Sequence, residues 1–265
     1  MRLFDFLSTS ADEPVSRREA LDQLKDTGLS LAAASMPLAL LGRSQPAFAQ
    51  STEDIVDVLN YALTLEYLED SYYRQGLDAS GLIPSGARPI YEQVSQHETV
   101  HVQVLTSTVE DLGGTPVSFE DSDFDFTANG SFDPFNDYPT FLLLSQAFED
   151  TGVRAYKGQA PALTGNDLLT AALQIHSVEA RHAAEVRRLR ASSQEASIKP
   201  WITRAENGGA PQAVYAGEDN QTQAGIDQRS LGDYSVAEVT EAYDEPLTME
   251  AVAGQDGIAA PFFAS

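Results

Sequence analysis

Four stretches of the chain place apolar residues three or four positions apart, which is the spacing of one face of an α-helix. The first such face consists of Ile55, Leu59, Ala62, Glu66, Glu69 and Tyr73. Two glutamates therefore interrupt an otherwise apolar face, and they call for a chemical explanation. The pattern predicts helices over about residues 52–76, 87–112, 138–158 and 166–191, with a linker of about 25 residues between the second and the third.

An internal repeat relates the two halves of this pattern. The first and third helices match at an offset of 83 residues, and the second and fourth match at an offset of 81. The matched polar positions are Glu66 with Glu149, Tyr73 with Tyr156, Glu98 with Glu179, and His101 with His182. Each half is therefore a helix with an inward Glu followed by a helix with an inward Glu-x-x-His. Two such hairpins predict an all-α four-helix bundle with one long crossover between helices 2 and 3.

Carboxylates that face a protein core are costly unless they are paired or coordinated. In Glu-x-x-His both side chains lie on one face, so each helix presents a carboxylate and an imidazole to one interior point. The predicted metal ligands are Glu66, Glu98, His101, Glu149, Glu179 and His182. Four carboxylates balance two divalent ions, and this donor set suits Fe or Mn, with Zn as a further occupant. The alternative is a bundle without metal, in which the same residues pair with one another.

Three neighbouring residues fit this ligand set less well. Glu69 also lies near the inward face, but its counterpart in the repeat is Gly152, so Glu66 is the better candidate. His97 and His176 fall outside the repeated positions. We interpret these two histidines as groups that surround the ligands or lie at the surface.

Two tyrosines and an arginine cluster receive structural interpretations. Tyr73 and Tyr156 lie two helical turns beyond the candidate glutamates of their helices, where they could hydrogen-bond a ligand, but packing in the core is favoured. Arg187, Arg188 and Arg190 end the fourth predicted helix, where positive charge complements the helix dipole. Neither group is assigned to the candidate site.

Composition excludes several classes of function. The 265 residues include 16 Lys and Arg against 40 Asp and Glu, and the net charge of -24 repels phosphate backbones, so we expect no nucleic acid partner. Such acidity is also one way to keep a protein solvated in a salt-rich habitat. There is no cysteine, which excludes disulfides, thiolate nucleophiles and cysteine-bound clusters. Any metal chemistry must therefore use carboxylates and imidazoles.

The first 49 residues have the features of an export signal. The pair Arg17-Arg18 precedes a mildly apolar stretch over residues 27–41, and residues 47–49 (Ala-Phe-Ala) offer small side chains at a cleavage site. This segment resembles a twin-arginine signal, so we expect a periplasmic or other extracytoplasmic protein with no membrane span after signal removal. The predicted domains are a removed signal peptide (1–49), a four-helix bundle (50–192) and a C-terminal extension packed on it (193–265).

The residues around the candidate ligands carry a family resemblance. The order Glu, Glu-x-x-His, Glu, Glu-x-x-His on four helices resembles the ferritin-like di-iron and di-manganese carboxylate proteins. More narrowly, four segments resemble the bacterial ferritin-like family related to plant desiccation-associated proteins: residues 59–69 (LNYALTLEYLE), 178–184 (VEARHAA), 214–218 (VYAGE) and 243–248 (YDEPLT). The resemblance implies a ferritin-like bundle and protection against oxidative or drying stress. The chain after residue 194 is rich in Gly, Gln, Asn and Asp, which predicts a mostly irregular C-terminal extension.

Two metal ions in such a bundle would support redox chemistry with dioxygen or peroxide, because the ions change valence while the carboxylates adjust. Three activities stay open: a ferroxidase, an oxidase of unknown substrate, and a peroxide-consuming enzyme like the manganese catalases. The protein could also form a homo-oligomer. The alternative from another class is a non-enzymatic protein on the same fold, which would give structural protection under stress or sequester metal.

Overall fold

The structure is a computed structural model that describes residues 51–194, 197–206 and 208–264. Four long helices account for nearly half of these residues, and each begins and ends within three residues of its predicted bounds. They are α1 (Thr52–Asp78), α2 (Arg88–Asp111), α3 (Tyr138–Gln159) and α4 (Leu168–Gln194). The all-α bundle with one long crossover is therefore confirmed, whereas the predicted signal peptide lies outside the described residues.

Local sequence determines where these helices begin. Ser51 and Asp54 form a capping box at α1: the Ser51 hydroxyl accepts from the Asp54 amide at 3.1 Å, and the Asp54 carboxylate accepts from the Ser51 amide at 3.0 Å. Pro89 and Pro139 lie in the first turns of α2 and α3, where the helix needs no amide donor. Asp137 caps the start of α3 with its side chain.

The helices pack as two hairpins, α1 with α2 and α3 with α4, and α1 also contacts α3. Two apolar clusters fill the interior, one of them rich in aromatic rings. On α2, positions 98 and 101 lie between Val94 of the aromatic cluster and Leu105 of the other cluster. On α4, positions 179 and 182 lie between Ile175 and Val186 in the same way. The inward polar residues therefore occupy the middle of the bundle, with apolar packing on either side.

The chain beyond α4 is mostly irregular. It contains α5 (Val236–Thr240), α6 (Met249–Ala253) and an antiparallel pair of two-residue strands, β1 (Thr222–Gln223) and β2 (Ile226–Asp227). Short 3₁₀ helices in the described ranges are Asp121–Asp123, Ala160–Leu163, Gln212–Tyr215, Gln228–Leu231 and Ala260–Phe262. None of the helices in these ranges is long and apolar enough to cross a membrane.

Buried arginines join α4 to α3, so the interpretation of these arginines as cations at a helix end is wrong. Arg187 pairs with Asp150 at 2.5 Å, and Arg190 donates to the side-chain oxygen of Gln146 at 2.9 Å. Both arginines are about 4% exposed, and α4 continues past them. Arg188 instead forms a surface pair on its own helix. The sequence placed these charges correctly on α4 but did not reveal their partners.

Arg154 of α3 ties the C-terminal region to the bundle. Its fully buried guanidinium donates to the backbone carbonyls of Val214, Ala216 and Glu245, and it pairs with Glu218 at 2.8 Å. All three guanidinium nitrogens thus contact the C-terminal region. The segment is held against the bundle by buried polar contacts as well as by apolar packing.

Candidate metal centre

The four helices bring all six predicted ligand residues together. They are Glu66 of α1, Glu98 and His101 of α2, Glu149 of α3, and Glu179 and His182 of α4. The four glutamates have no exposed surface, and the two histidines are at most 7% exposed. The three-residue spacing within α2 and α4 directs both side chains of each pair inwards, as the repeat predicts.

The ligand atoms of these residues form two overlapping groups. Within each group, one atom from every residue lies within 4.8 Å of the others. One group is Glu66, Glu98, His101 and Glu179, and the other is Glu98, Glu149, Glu179 and His182. Each group has one imidazole and one glutamate of its own, and the other two glutamates are shared. Two neighbouring cations require this kind of arrangement.

Glu98 and Glu179 divide their oxygens between the two histidines. The Nδ1 of His101 lies 3.0 Å from Glu98 Oε2 and 3.1 Å from Glu179 Oε1. The Nδ1 of His182 lies 2.9 Å from Glu98 Oε1 and 4.0 Å from Glu179 Oε2. These two carboxylates are therefore placed to bridge a pair of cations, while the remaining glutamate of each group can bind one.

Several ligand atoms lack any hydrogen bond. They are Glu98 Oε1, Glu149 Oε2, both carboxylate oxygens of Glu179 and the Nδ1 of His182, all buried and unpaired within the described residues. The Nδ1 of His182 is close to Glu98 Oε1, but its ring does not direct an N–H at that oxygen. A buried polar atom without a partner costs about 1–3 kcal/mol. Coordination would satisfy all five atoms, and four carboxylates with two imidazoles fit Fe or Mn.

The burial of the carboxylates and their closeness to one another make this cluster attract positive charge. Burial raises the pKa of Glu98 to about 7, and burial together with neighbouring carboxylates raises the pKa of Glu179 well above its usual range. Burial by itself lowers the pKa of His101 and of His182, but the surrounding carboxylates outweigh it and raise both. The cluster therefore retains protons unless metal cations replace them.

Tyr73 and Tyr156 each hydrogen-bond the candidate glutamate of the other helix, so the interpretation that they only pack in the core is wrong. The Tyr73 hydroxyl donates to Glu149 Oε1 at 2.5 Å, and the Tyr156 hydroxyl donates to Glu66 Oε1. The two bonds cross between α1 and α3 and repeat the symmetry of the sequence. Burial raises the pKa of both phenols, which keeps them protonated as donors. Their matched positions in the repeat were the available sequence signal.

His97 lies against the centre, whereas His176 does not. The Nδ1 of His97 is 2.9 Å from the Nε2 of His182, and the two rings stack with centroids 5.1 Å apart. The other ring nitrogen of His97 is 2.8 Å from the side-chain amide of Gln93. His176 interacts with the backbone of Val153 instead. Because neither histidine belongs to the repeat, periodicity could not separate them.

Glu69 lies at the edge of the cluster without belonging to either group. It is 3% exposed. A Cβ atom at Gly152 would stand 3.3 Å from Glu69 Oε1 and 3.4 Å from Glu179 Oε2, so both carboxylates approach this glycine closely. Burial is the largest cause that raises the pKa of Glu69, and the charge of Glu179 comes next. The six candidate ligands thus have a seventh carboxylate beside them.

An apolar cavity of about 40 Å³ adjoins the cluster. Ala62, Leu105 and Ile175 line it, and each lies one helical turn from a candidate ligand of its own helix. Tyr156, which holds a ligand carboxylate, forms another part of the wall. Tyr61 also lines the cavity, and its buried hydroxyl has no hydrogen-bond partner in the described part of the chain. A small apolar space therefore lies next to the polar centre.

Comparison with known proteins gives independent support for this fold. A model of the family described as Ferritin-like domain matches residues 54–192, which is just over half of the chain. The match extends from the first turn of α1 to the last turn of α4 and includes all six candidate ligands. None of the curated proteins compared with the chain matches it. The chain therefore belongs to the ferritin-like domain family.

Proposed function

We propose that the protein binds two Fe or Mn ions and carries out redox chemistry with dioxygen or peroxide. The observation that supports this most directly is the pair of ligand groups that share Glu98 and Glu179. A bound metal pair would supply the valence changes that such chemistry needs. The burial of every candidate ligand keeps bulk water away from the reacting atoms.

The side chains have separable roles in this proposal. The shared glutamates would hold both ions, and each histidine would hold one of them. The glutamates that belong to one group would hold one ion each, and a tyrosine from the facing helix orients each of them. Each of these tyrosines also holds a proton at its hydroxyl oxygen next to the centre. The resulting residue set is Glu66, Glu98, His101, Glu149, Glu179 and His182, with Tyr73 and Tyr156 as positioning residues.

We further propose that the protein is exported and protects against oxidative or drying stress. The support is the arginine pair, apolar stretch and small-residue end of residues 1–49. Fusion of residues 1–49 to a folded reporter should direct the reporter out of the cytoplasm. A variant with Arg17→Lys and Arg18→Lys should leave it inside. Equal export of both fusions would contradict the twin-arginine assignment.

The metal proposal is tested on protein purified from medium that contains balanced iron and manganese. We expect about two ions per chain, as in other bundles of this ligand pattern, together with consumption of peroxide or dioxygen. Glu98→Ala should lose bound metal and the thermal stabilisation that metal gives. Glu110→Ala is the matched control, because Glu110 is exposed on the same helix.

The alternatives give different results in the same measurements. Absence of metal in the wild type, with unchanged melting of Glu98→Ala, would contradict the proposal and favour a protective structural protein. Two bound ions without reaction towards either oxidant would favour metal sequestration. A storage cage would appear in light scattering as a large hollow multimer.

A further inference from the structure

Arg190 of α4 is a buried cation without a carboxylate of its own. The part of the chain that the structure describes contains two other buried arginines, and each of them has a partner. Arg154 pairs with Glu218 at 2.8 Å, fully out of contact with solvent. Arg187 pairs with Asp150 at 2.5 Å. A buried guanidinium that lacks such a counter-charge is unfavourable, so Arg190 calls for an explanation.

Asp150 does not supply the missing charge, because its oxygens are already occupied. Both of them accept from Arg187, at 2.9 Å and 2.5 Å, and a tyrosine hydroxyl donates to one of them as well. Arg190 instead donates to the side-chain oxygen of Gln146 at 2.9 Å and to the backbone carbonyl of Gly208. Its Nε is buried and has no partner among the described residues. Uncharged oxygens alone therefore hold this guanidinium.

A cavity of about 260 Å³ lies beside Arg190. Gln146 and Gly208, which accept from this arginine, both line it, and so does Lys199. The one carboxylate among the described lining residues belongs to Glu206, which is exposed. One water molecule needs about 10–15 Å³ measured in the same way, so the space admits an organic molecule as well as a single ion.

An aromatic side chain forms another part of the wall. Trp201, the only tryptophan in the sequence, is 48% exposed and lines both this cavity and a second one of about 130 Å³. Arg187 donates to the backbone carbonyl of Trp201 at 3.3 Å, which holds this segment against α4. An indole offers a flat apolar surface on which a planar group can stack. The cavity thus combines nearby positive charge with an aromatic wall.

We propose that the cavity beside Arg190 binds a small organic carboxylate with a planar apolar body. The carboxylate supplies the counter-charge of Arg190 and accepts from Lys199, whose ammonium has three donors and uses one of them for Glu241. The planar body lies against Trp201. An inorganic anion would satisfy the charge but would leave the indole and most of the volume without a contact. The proposal does not rest on the metal centre.

Tryptophan fluorescence tests this proposal, because the single indole lines the proposed site. Full-length protein is titrated with benzoate, and we expect a saturable change in the emission. Benzamide, a neutral molecule of nearly the same shape, should bind at least about tenfold more weakly, since it lacks the charge. Arg190→Met should weaken benzoate binding by a similar factor, and Lys199→Gln should weaken it less. Arg188→Gln, an exposed substitution on the same helix, should bind as the wild type does.

Several results would overturn the proposal. They are the absence of a saturable change with benzoate, equal binding of benzoate and benzamide, and equal benzoate affinities of the wild type, Lys199→Gln and Arg190→Met. Inorganic phosphate that binds as tightly as benzoate would also overturn it, because the planar body would then contribute nothing. If Arg190→Met does not fold, calorimetry on Trp201→Leu provides a second test, in which benzoate binding should weaken. Metal content is measured separately, so failure here leaves the proposed function standing.

Discussion

His101 and His182 occupy matched positions in the repeat, but their surroundings differ. The Nε2 of His182 faces His97 at 2.9 Å, whereas the residue that corresponds to His97 on α4 is Val178, which cannot hydrogen-bond through its side chain. When the Nδ1 of His182 binds a cation, its Nε2 carries the proton and donates it to His97. The outer nitrogen of His97 is then protonated, and Gln93 must turn its amide oxygen towards it. His97 thus orients the His182 imidazole through the ring nitrogen that does not face the metal centre.

Substitution of His97 should weaken metal binding without removing a ligand. We expect His97→Ala to lower the affinity of one metal ion about 10–100-fold, the usual effect of losing a group that orients a ligand histidine. Competition with a chelator of known affinity measures the change. His176→Ala is the control, because His176 contacts α3 away from the centre. Equal affinities of the two variants would show that His97 does not orient His182.

Metal affinity should rise with pH, because protons and metal ions compete for the same atoms. The pKa of Glu98 is raised to about 7 by burial, so below that pH a metal ion must displace its proton. Each pH unit below 7 then weakens binding up to about tenfold through this one group, and the effect levels off above it. Chelator competition at pH 6 and pH 8 tests the sign. A metal affinity that is lower at pH 8 than at pH 6 would contradict the raised pKa.

At the scale of the helices, the proposed function would make the apolar cavity the route by which a small uncharged oxidant reaches the metal centre. Ala172 of α4 is half-buried and lines the cavity. Ala172→Phe should fill the space and slow the reaction of the reduced centre with dioxygen at least about tenfold, with unchanged metal content. Stopped-flow absorbance after mixing with dioxygen gives the rate. Ala191→Phe, a half-buried substitution on the same helix but outside the cavity, should react as the wild type does.

Helix positions and the inward residues were predictable because they depend on local spacing. The apolar ladder places each helix end within three residues, and the repeat distinguishes Glu66 from Glu69 as the member of a matched pair. The repeat marked both tyrosines, but it did not indicate that each one bonds the glutamate of the facing helix, because these bonds join residues 76 and 90 positions apart. The partners of Arg187 were missed for the same reason. Periodicity reports which face of a helix is buried, but not which atom on another helix it meets.

Across the whole molecule, the C-terminal segments that carried the family resemblance surround one buried arginine. Residues 214–218 supply two carbonyls and a carboxylate to Arg154, and residues 243–248 supply a third carbonyl and a backbone amide donor. A bundle of four helices therefore depends on a distant part of the chain to satisfy a charge in its own third helix. The extension is part of the folded unit and not an independent appendage.

Removal of this arginine should destabilise the protein strongly. Arg154→Met leaves Glu218 buried without its partner, and we expect a loss of about 3–5 kcal/mol in the free energy of unfolding. Arg188→Met removes a surface pair on α4 and should change stability little. Urea unfolding measures both, and limited proteolysis should cut residues 197–264 first in Arg154→Met. Similar unfolding midpoints for the two variants would show that the buried pair does not anchor the extension.

The net charge of -24 acts on the molecule as a whole. Like charges on a compact surface repel one another, and salt screens them as the Debye length falls from about 30 Å at 0.01 M to about 10 Å at 0.1 M. The melting temperature should therefore rise with NaCl over this range, where screening exceeds effects specific to the salt.

A variant with Glu110→Gln and Asp111→Asn removes two negative charges from the C-terminal end of α2, where the helix dipole also disfavours them. It should melt higher than the wild type at 0.01 M salt and respond less to added salt, whereas equal salt dependence would indicate that surface repulsion does not limit stability.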